Sequence, residues 1–142
     1  MRTFYKVVDQ LETELQANPF VNTVSYGNIF DIDLKKQTLY PISHFIVNSA
    51  THQGSIWVLN ISLMCMDIPE SSDNEHHVLD EQLAVINKVI EKFKRGDLRD
   101  EKYELIGQPT ATPFKDYGEV GSIGWECTFD IATNNTMGYE GD

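Results

Sequence analysis

A chain of 142 residues with 11 basic and 22 acidic side chains, net charge −11, is long enough for one domain with its own core and too short for two substantial ones. An acid excess of that size repels duplex DNA and anionic membranes from most faces, which argues against sequence-specific nucleic-acid binding. No window approaches the ~18 consecutive apolar residues of a membrane helix, and the opening MRTFYKVVDQ lacks the apolar core of a signal peptide, so the expectation is a protein made in a cytosol and used or assembled there.

Phe4, Val7, Val8, Leu11 and Leu15 recur at the spacing of one helix face, with Asp9, Glu12 and Glu14 outside it. Thr3 is placed to cap this helix, and Asn18 before Pro19 to end it. Residues 21–25 suit a short strand leading into a turn at Gly27. Phe30, Ile32 and Leu34 then alternate with Asp31 and Asp33, the period of a strand with one wet face, and residues 35–37 make a polar tip. Pro41 marks either the start of a strand or an edge. Residues 48–54 are a polar break between two strands, with Thr51, His52, Gln53 and Gly54 supplying the turn. Past the turn, Trp57, Leu59, Ile61, Leu63 and Cys65 share a wholly apolar face. Ile56, Val58, Asn60, Ser62, Met64 and Met66 form a mixed one, fit to meet a helix or another subunit.

Residues 67–81 hold Asp67, Glu70, Asp73, Glu75, Asp80 and Glu81 and no Lys or Arg, with Pro69, Ser71 and Ser72 marking a loop that feeds a helix N-terminus. The helix that follows shows Leu79, Leu83, Ile86, Val89, Ile90 and Phe93 as its stripe, Lys92, Lys94 and Arg95 in its last turn, and Gly96 as its stop. Residues 103–106 form a strand. Residues 107–124, carrying Pro109, Pro113, Gly118, Gly121 and Gly124, read as a long loop or extended arm. Trp125, Cys127, Phe129 and Ile131 alternate with Glu126, Thr128, Asp130 and Ala132 as the last strand, and residues 133–142 make a frayed tail. The expected fold is α/β in content and α+β in arrangement: one domain over residues 1–132, a mostly antiparallel sheet with two helices packed on one face.

No catalytic, cofactor or metal site is expected. His76 and His77 beside Asp73, Glu75 and Asp80 come nearest to a metal constellation, but adjacent histidines on a helix point about 100° apart, and no metal-ligand spacing such as HExxH is present. Asp31 and Asp33 share a strand face without the glycine and terminal glutamate of a calcium loop. His44 and His52 lie far from any serine or cysteine in a nucleophile context, and no Gly-rich loop opens a helix. Trp57 and Trp125 fall at strand period and read as core. Cys65 and Cys127, both in apolar runs, read as reduced buried thiols, a disulfide or reactive thiol being the alternative.

The order of elements, together with the start TFYKVVDQLETEL, the block NPFVNTVSYGNIFDIDLKKQTLYP, the strand SIWVLNISLMCMD, the helix DEQLAVINKVIEKF and the closing PFKDYGEVGSIGWECTFDI, resembles the tail terminator and tail completion proteins of tailed bacteriophages. The likeness runs over nearly the whole chain and rests on order and texture, with no single short motif. It implies a non-enzymatic structural protein of the virion, assembled in the host cytoplasm and placed in the neck or at the top of the tail. Its partners would be identical subunits in a ring, sixfold or a multiple, with portal, connector or tail proteins above and below. Genomic DNA would pass through without specific binding, and no membrane or cofactor would be involved. Subunit contacts are then expected from Ile56, Val58 and Met64 on the mixed strand face and from Pro113, Phe114 and Tyr117 in the arm. The alternative is a cytosolic module that binds a small ligand or a protein on an open sheet face.

Overall fold

The computed structural model describes residues 3–28, 36–95, 103–117 and 121–134. Its first helix, α1 (Thr3–Gln16), buries Val7, Leu11 and Leu15 completely, the i, i+4, i+8 stripe of an amphipathic helix. Phe4 was expected on that face but is exposed, and Thr3 is the first helical residue instead of the cap before it. Asn18 ends the helix in a specific way: its buried side-chain oxygen accepts the Phe20 N–H at 2.9 Å, closing a turn that Pro19 could not continue as helix.

Strand β1 (Thr23–Tyr26) runs parallel to the first four residues of β2 (Ile42–Gln53). The Pro41 carbonyl accepts the N–H groups of both Asn22 and Thr23, at 2.8 and 3.1 Å, so Pro41 helps start the pairing while its missing N–H costs no ladder bond. The strand expected over Phe30, Ile32 and Leu34 lies outside the described residues. A short 3-10 turn (Gln37–Leu39) is fastened back to β1 by the Asn22 side chain, which donates to the Thr38 carbonyl at 2.8 Å.

The expected turn at residues 51–54 is too long. β2 continues as strand through Gln53 and pairs antiparallel with β3 (Ile56–Asp67) across a two-residue loop, Gly54 and Ser55. Gly54 takes φ +63°, the left-handed conformation such a hairpin needs at that position. A register shift between Val47 and Ser49 bulges Asn48 out of the ladder. Beyond it β2 is a sheet edge, because β1 reaches only Phe45, and the polar sequence there suits an exposed edge.

After a second 3-10 turn (Ser72–Asn74), α2 (Glu75–Arg95) buries Val78, Gln82, Val85, Ile86, Val89 and Phe93. This stripe is displaced from the expected one: Leu83 is 38% exposed and Leu79 and Ile90 are half-buried, while Gln82 is wholly buried. The helix offers two apolar stripes, and the sheet takes the one that includes a glutamine.

Of the segment 107–124, expected as a loop or arm, residues 107–117 and 122–124 are strand. β4 (Tyr103–Tyr117) pairs antiparallel with β5 (Ser122–Asn134) over almost all of that segment. Pro109 and Pro113, which read as loop signals, lie on an edge strand, and Gly124 lies in the interior strand β5. Two irregularities, between Ile106 and Thr110 and between Lys115 and Tyr117, take up the extra residues, and Gly107 sits in the first with φ +76°. The five-stranded mixed sheet has the order β1-β2-β3-β5-β4, with the single parallel pair at one edge. Both helices pack on one face of it, over a core of Phe45, Leu59, Ile61, Leu63, Phe129 and Ile131. This is the expected α+β arrangement.

At Gly124 the β3 and β5 backbones approach so closely that a Cβ would collide with the Cys65 carbonyl and lie 2.7 Å from the Met66 Cα. Only glycine fits there.

Candidate functional site

The strand registers divide the side chains between a helix-covered face and an open one. One end of the open face is closed by the chain's own residues. Tyr40, Ile42 and Met66 are buried there, with Leu39, Met64, Ile68 and Phe114 packed around them. Burial lifts the Tyr40 hydroxyl above its usual pKa against the lowering effect of its bond to Ser122, and likewise raises the neighbouring Asp67 carboxyl against its bond from the Ile68 N–H.

The middle of the open face is a connected polar surface. Asn48, freed by the bulge, donates to the Asn60 side-chain oxygen at 2.9 Å and to the Ser62 hydroxyl at 2.7 Å. Asn60 donates in turn to Asp130 at 2.9 Å, and Ser62 and Thr128 share a hydrogen bond at 3.2 Å. These bonds hold side chains of β2, β3 and β5 flat across the strands.

Next to this surface His44 is 5% exposed, with both ring nitrogens engaged. Its Nε2–H donates to the Gly27 carbonyl at 2.6 Å, so Nδ1 is the acceptor of a hydrogen bond that the Ser25 hydroxyl donates at 2.7 Å. Burial holds its pKa below the usual histidine value, against the pull of the Gly27 carbonyl. The pair joins β1 and the turn after it to β2. A cavity of about 370 Å³ opens beside it, lined by His44, Asn28, Ile46, Asn48, Met64 and Glu126 among others. Nothing in the sequence set His44 apart, because its partners Ser25 and Gly27 come to it only through the parallel pairing of β1.

The large apolar side chains that remain exposed fall at separate places. Phe4, Phe20 and Tyr26 belong to α1, β1 and the link between them, and Leu83 belongs to α2, whereas Ile106, paired with Asp130, is on the open face of β4. The β1 and β4 edges are four strand spacings apart, roughly 19 Å. On the α2 and β4 side a groove of about 410 Å³ is lined by Leu83, Ala84, Asn87, Ile90, Pro109 and Ala111 among others.

The residues expected to make subunit contacts do not form one patch. Val58 is buried in its own chain, and Ile56 is half-buried at the hairpin end of β3. Met64 and Phe114 both pack against the cluster around Tyr40. Pro113 is exposed on β4. Tyr117 ends that strand. The remaining chemistry candidates are dispersed. His76 and His77 are exposed at the start of α2, and Asp31 and Asp33 lie outside the described residues. Among the described residues no group of three His, Cys, Asp or Glu side chains is placed to hold a metal ion. Cys65 and Cys127 are free and buried; burial pushes the Cys65 thiol up to about 12 and raises Cys127 as well. Trp125 packs on the core and donates its indole N–H to the Leu79 carbonyl at 2.8 Å. Trp57 instead sits half-buried near the hairpin end, edge-on to His52.

No helix among the described residues is long and apolar enough to cross a membrane. No family model matches the chain, and comparison with curated proteins gives no match.

Proposed function

We propose that this chain is a structural subunit of a tailed-phage neck or tail, closing into a ring at the head-tail junction or the top of the tail. The observation that carries the reading is the presence of two unlike apolar surfaces at separate places on the subunit. A ring of identical subunits needs a heterologous contact, in which one patch meets a different patch on the next copy. A twofold dimer needs one self-complementary patch. Here exposed aromatic side chains stand at α1 and β1, and a concave groove is lined by residues of α2 and β4. Single exposed apolar residues are ordinary on any surface; an aromatic patch at α1 and β1 together with a separate groove at α2 and β4 is what favours ring closure. The acid excess and the resemblance in element order support the same role, in which DNA passes and is not read.

Microscopy of purified particles, labelled through a tag at the C-terminus of this chain, tests the proposal. Label confined to the neck or the tail top is the expected outcome. Unlabelled particles, with the chain present only as a free monomer, would defeat it. The cavity beside His44 would then make the binding module the better account, since its size falls within the roughly 300–1,000 Å³ of small-molecule sites.

A further inference from the structure

We infer that the open sheet face, centred on Asn60, Ser62, Glu126, Thr128 and Asp130, lines the passage through the ring and faces the DNA in transit. The inference rests on the ring reading and adds to it which surface meets the nucleic acid.

If the two flanks make the contacts between neighbours, the two broad faces of the subunit remain, and they differ in charge. By register, none of the described strand residues on the open face is Lys or Arg, while Glu104, Glu126 and Asp130 are among them. Of the described lysines, Lys6 is on α1, and Lys88, Lys92 and Lys94 are on α2. Lys115 turns toward the helices and pairs with Glu75 at 2.8 Å, and exposed Lys36 leads into the 3-10 turn whose Leu39 packs at the closed end of the open face, outside its polar middle. A surface past which duplex DNA must slide has to avoid phosphate contacts, because each one releases counterions and adds affinity that would hold the DNA in place. The sheet face meets that condition and the helix face does not.

The polar network gives the face a second suitable property. Asn48, Asn60, Ser62, Thr128 and Asp130 already satisfy one another, so their side chains lie tied down across the strands. Such a surface offers hydration without the long flexible cations that grip a backbone.

The test uses particles that carry Thr112→Lys/Thr128→Lys, two exposed positions on β4 and β5. Their DNA release is triggered in vitro and timed at several salt concentrations. The expected result is wild-type copy number in the particle with release slowed by about tenfold or more at low salt and restored by added salt, the dependence that counterion release requires. His77→Lys, exposed at the start of α2 and not among the residues that line the groove, should leave release unchanged. If the double variant folds poorly, Thr112→Lys alone carries the test, since Thr128 shares a hydrogen bond and Thr112 is simply exposed. Unchanged release from fully loaded particles would overturn the inference and leave the ring reading standing. So would exclusion of a folded variant from particles that accept the wild-type chain, because the face would then be a buried contact. Absence of the wild-type chain from particles would defeat the ring reading, and this inference with it.

Discussion

His44 shows how one side chain ties an edge strand to the sheet and makes the fold sensitive to acid. Its folded pKa lies below the ordinary 6.5, so just beneath that pH the unfolded chain binds the proton more readily than the folded one. The stability that neutral His44 contributes is therefore complete above 6.5 and falls as the pH drops through the folded value. Asp67, raised above 3.8 by burial, acts in the opposite sense, its contribution diminishing as the pH rises through its own window. Chemical denaturation at about pH 7.5 and about pH 5.5 should show a lower midpoint in acid. His44→Gln should be less stable at neutral pH and lose that part of the slope, and Asp67, common to both proteins, cancels in the comparison. An identical slope in the variant would assign the acid sensitivity to another group. Gly124 is the other decisive single residue. Gly124→Ala forces a methyl group against the backbone of β3, so a loss of about 3 kcal/mol or more is expected, at the upper end of overpacking because main chain yields less than side chain. Thermal melting reads it, and an unchanged midpoint would mean that the strands separate more easily than their pairing implies.

At the scale of elements, α2 shows both what the sequence discloses and where it misleads. Its existence, its length and its basic last turn are plain from period and capping signals, but its phase is not. Leu79, Leu83, Ile86, Val89, Ile90 and Phe93 outrank in hydropathy the stripe that the sheet takes, which includes Gln82. Gln82 reaches the Phe20 carbonyl at 3.4 Å and leaves its own oxygen buried without a partner, a cost that hydropathy cannot foresee. The same limit explains β4. Pro109, Pro113 and Gly107 look like loop signals until the sheet order shows that the strand lies at an edge, where a missing N–H and an irregular turn are tolerated. The displaced phase sharpens a contrast between two neighbouring substitutions. Ile86→Asp buries an unpaired charge at a cost of several kcal/mol out of a typical total of about 5–15, and should unfold the domain. Leu83→Asp falls on the exposed flank. It should change the melting free energy by no more than about 1 kcal/mol while blocking ring assembly, as circular dichroism and sedimentation together would show. Rings that form normally from Leu83→Asp would remove this flank from the interface.

At the scale of the whole molecule, the α+β class and the helix-covered side of the sheet were legible from alternation and helical period alone. The surfaces that matter for function were not. The β1 and β4 edges become opposite only once the order β1-β2-β3-β5-β4 is known, and the lack of Lys and Arg among the described strand residues of the open face depends on a register that no linear pattern contains. The contact set expected from Ile56, Val58, Met64, Pro113, Phe114 and Tyr117 illustrates the gap. A mixed strand face suggests a subunit contact, but part of its apolar surface is used inside the chain, by burial of Val58 and by the cluster that holds Met64 and Phe114. What remains for partners is a pair of flanks with unlike shapes and a broad polar face between them. In the proposed ring, copies meet flank to unlike flank around an axis, with their open sheets turned the same way. A symmetry-averaged electron cryomicroscopy reconstruction of the neck and upper tail tests it most directly. The account predicts a ring, sixfold or a multiple, in which the Phe20 and Tyr26 side of each copy meets the Leu83 and Pro109 side of the next. A neck and tail without density for this chain, or copies joined through like flanks, would contradict it.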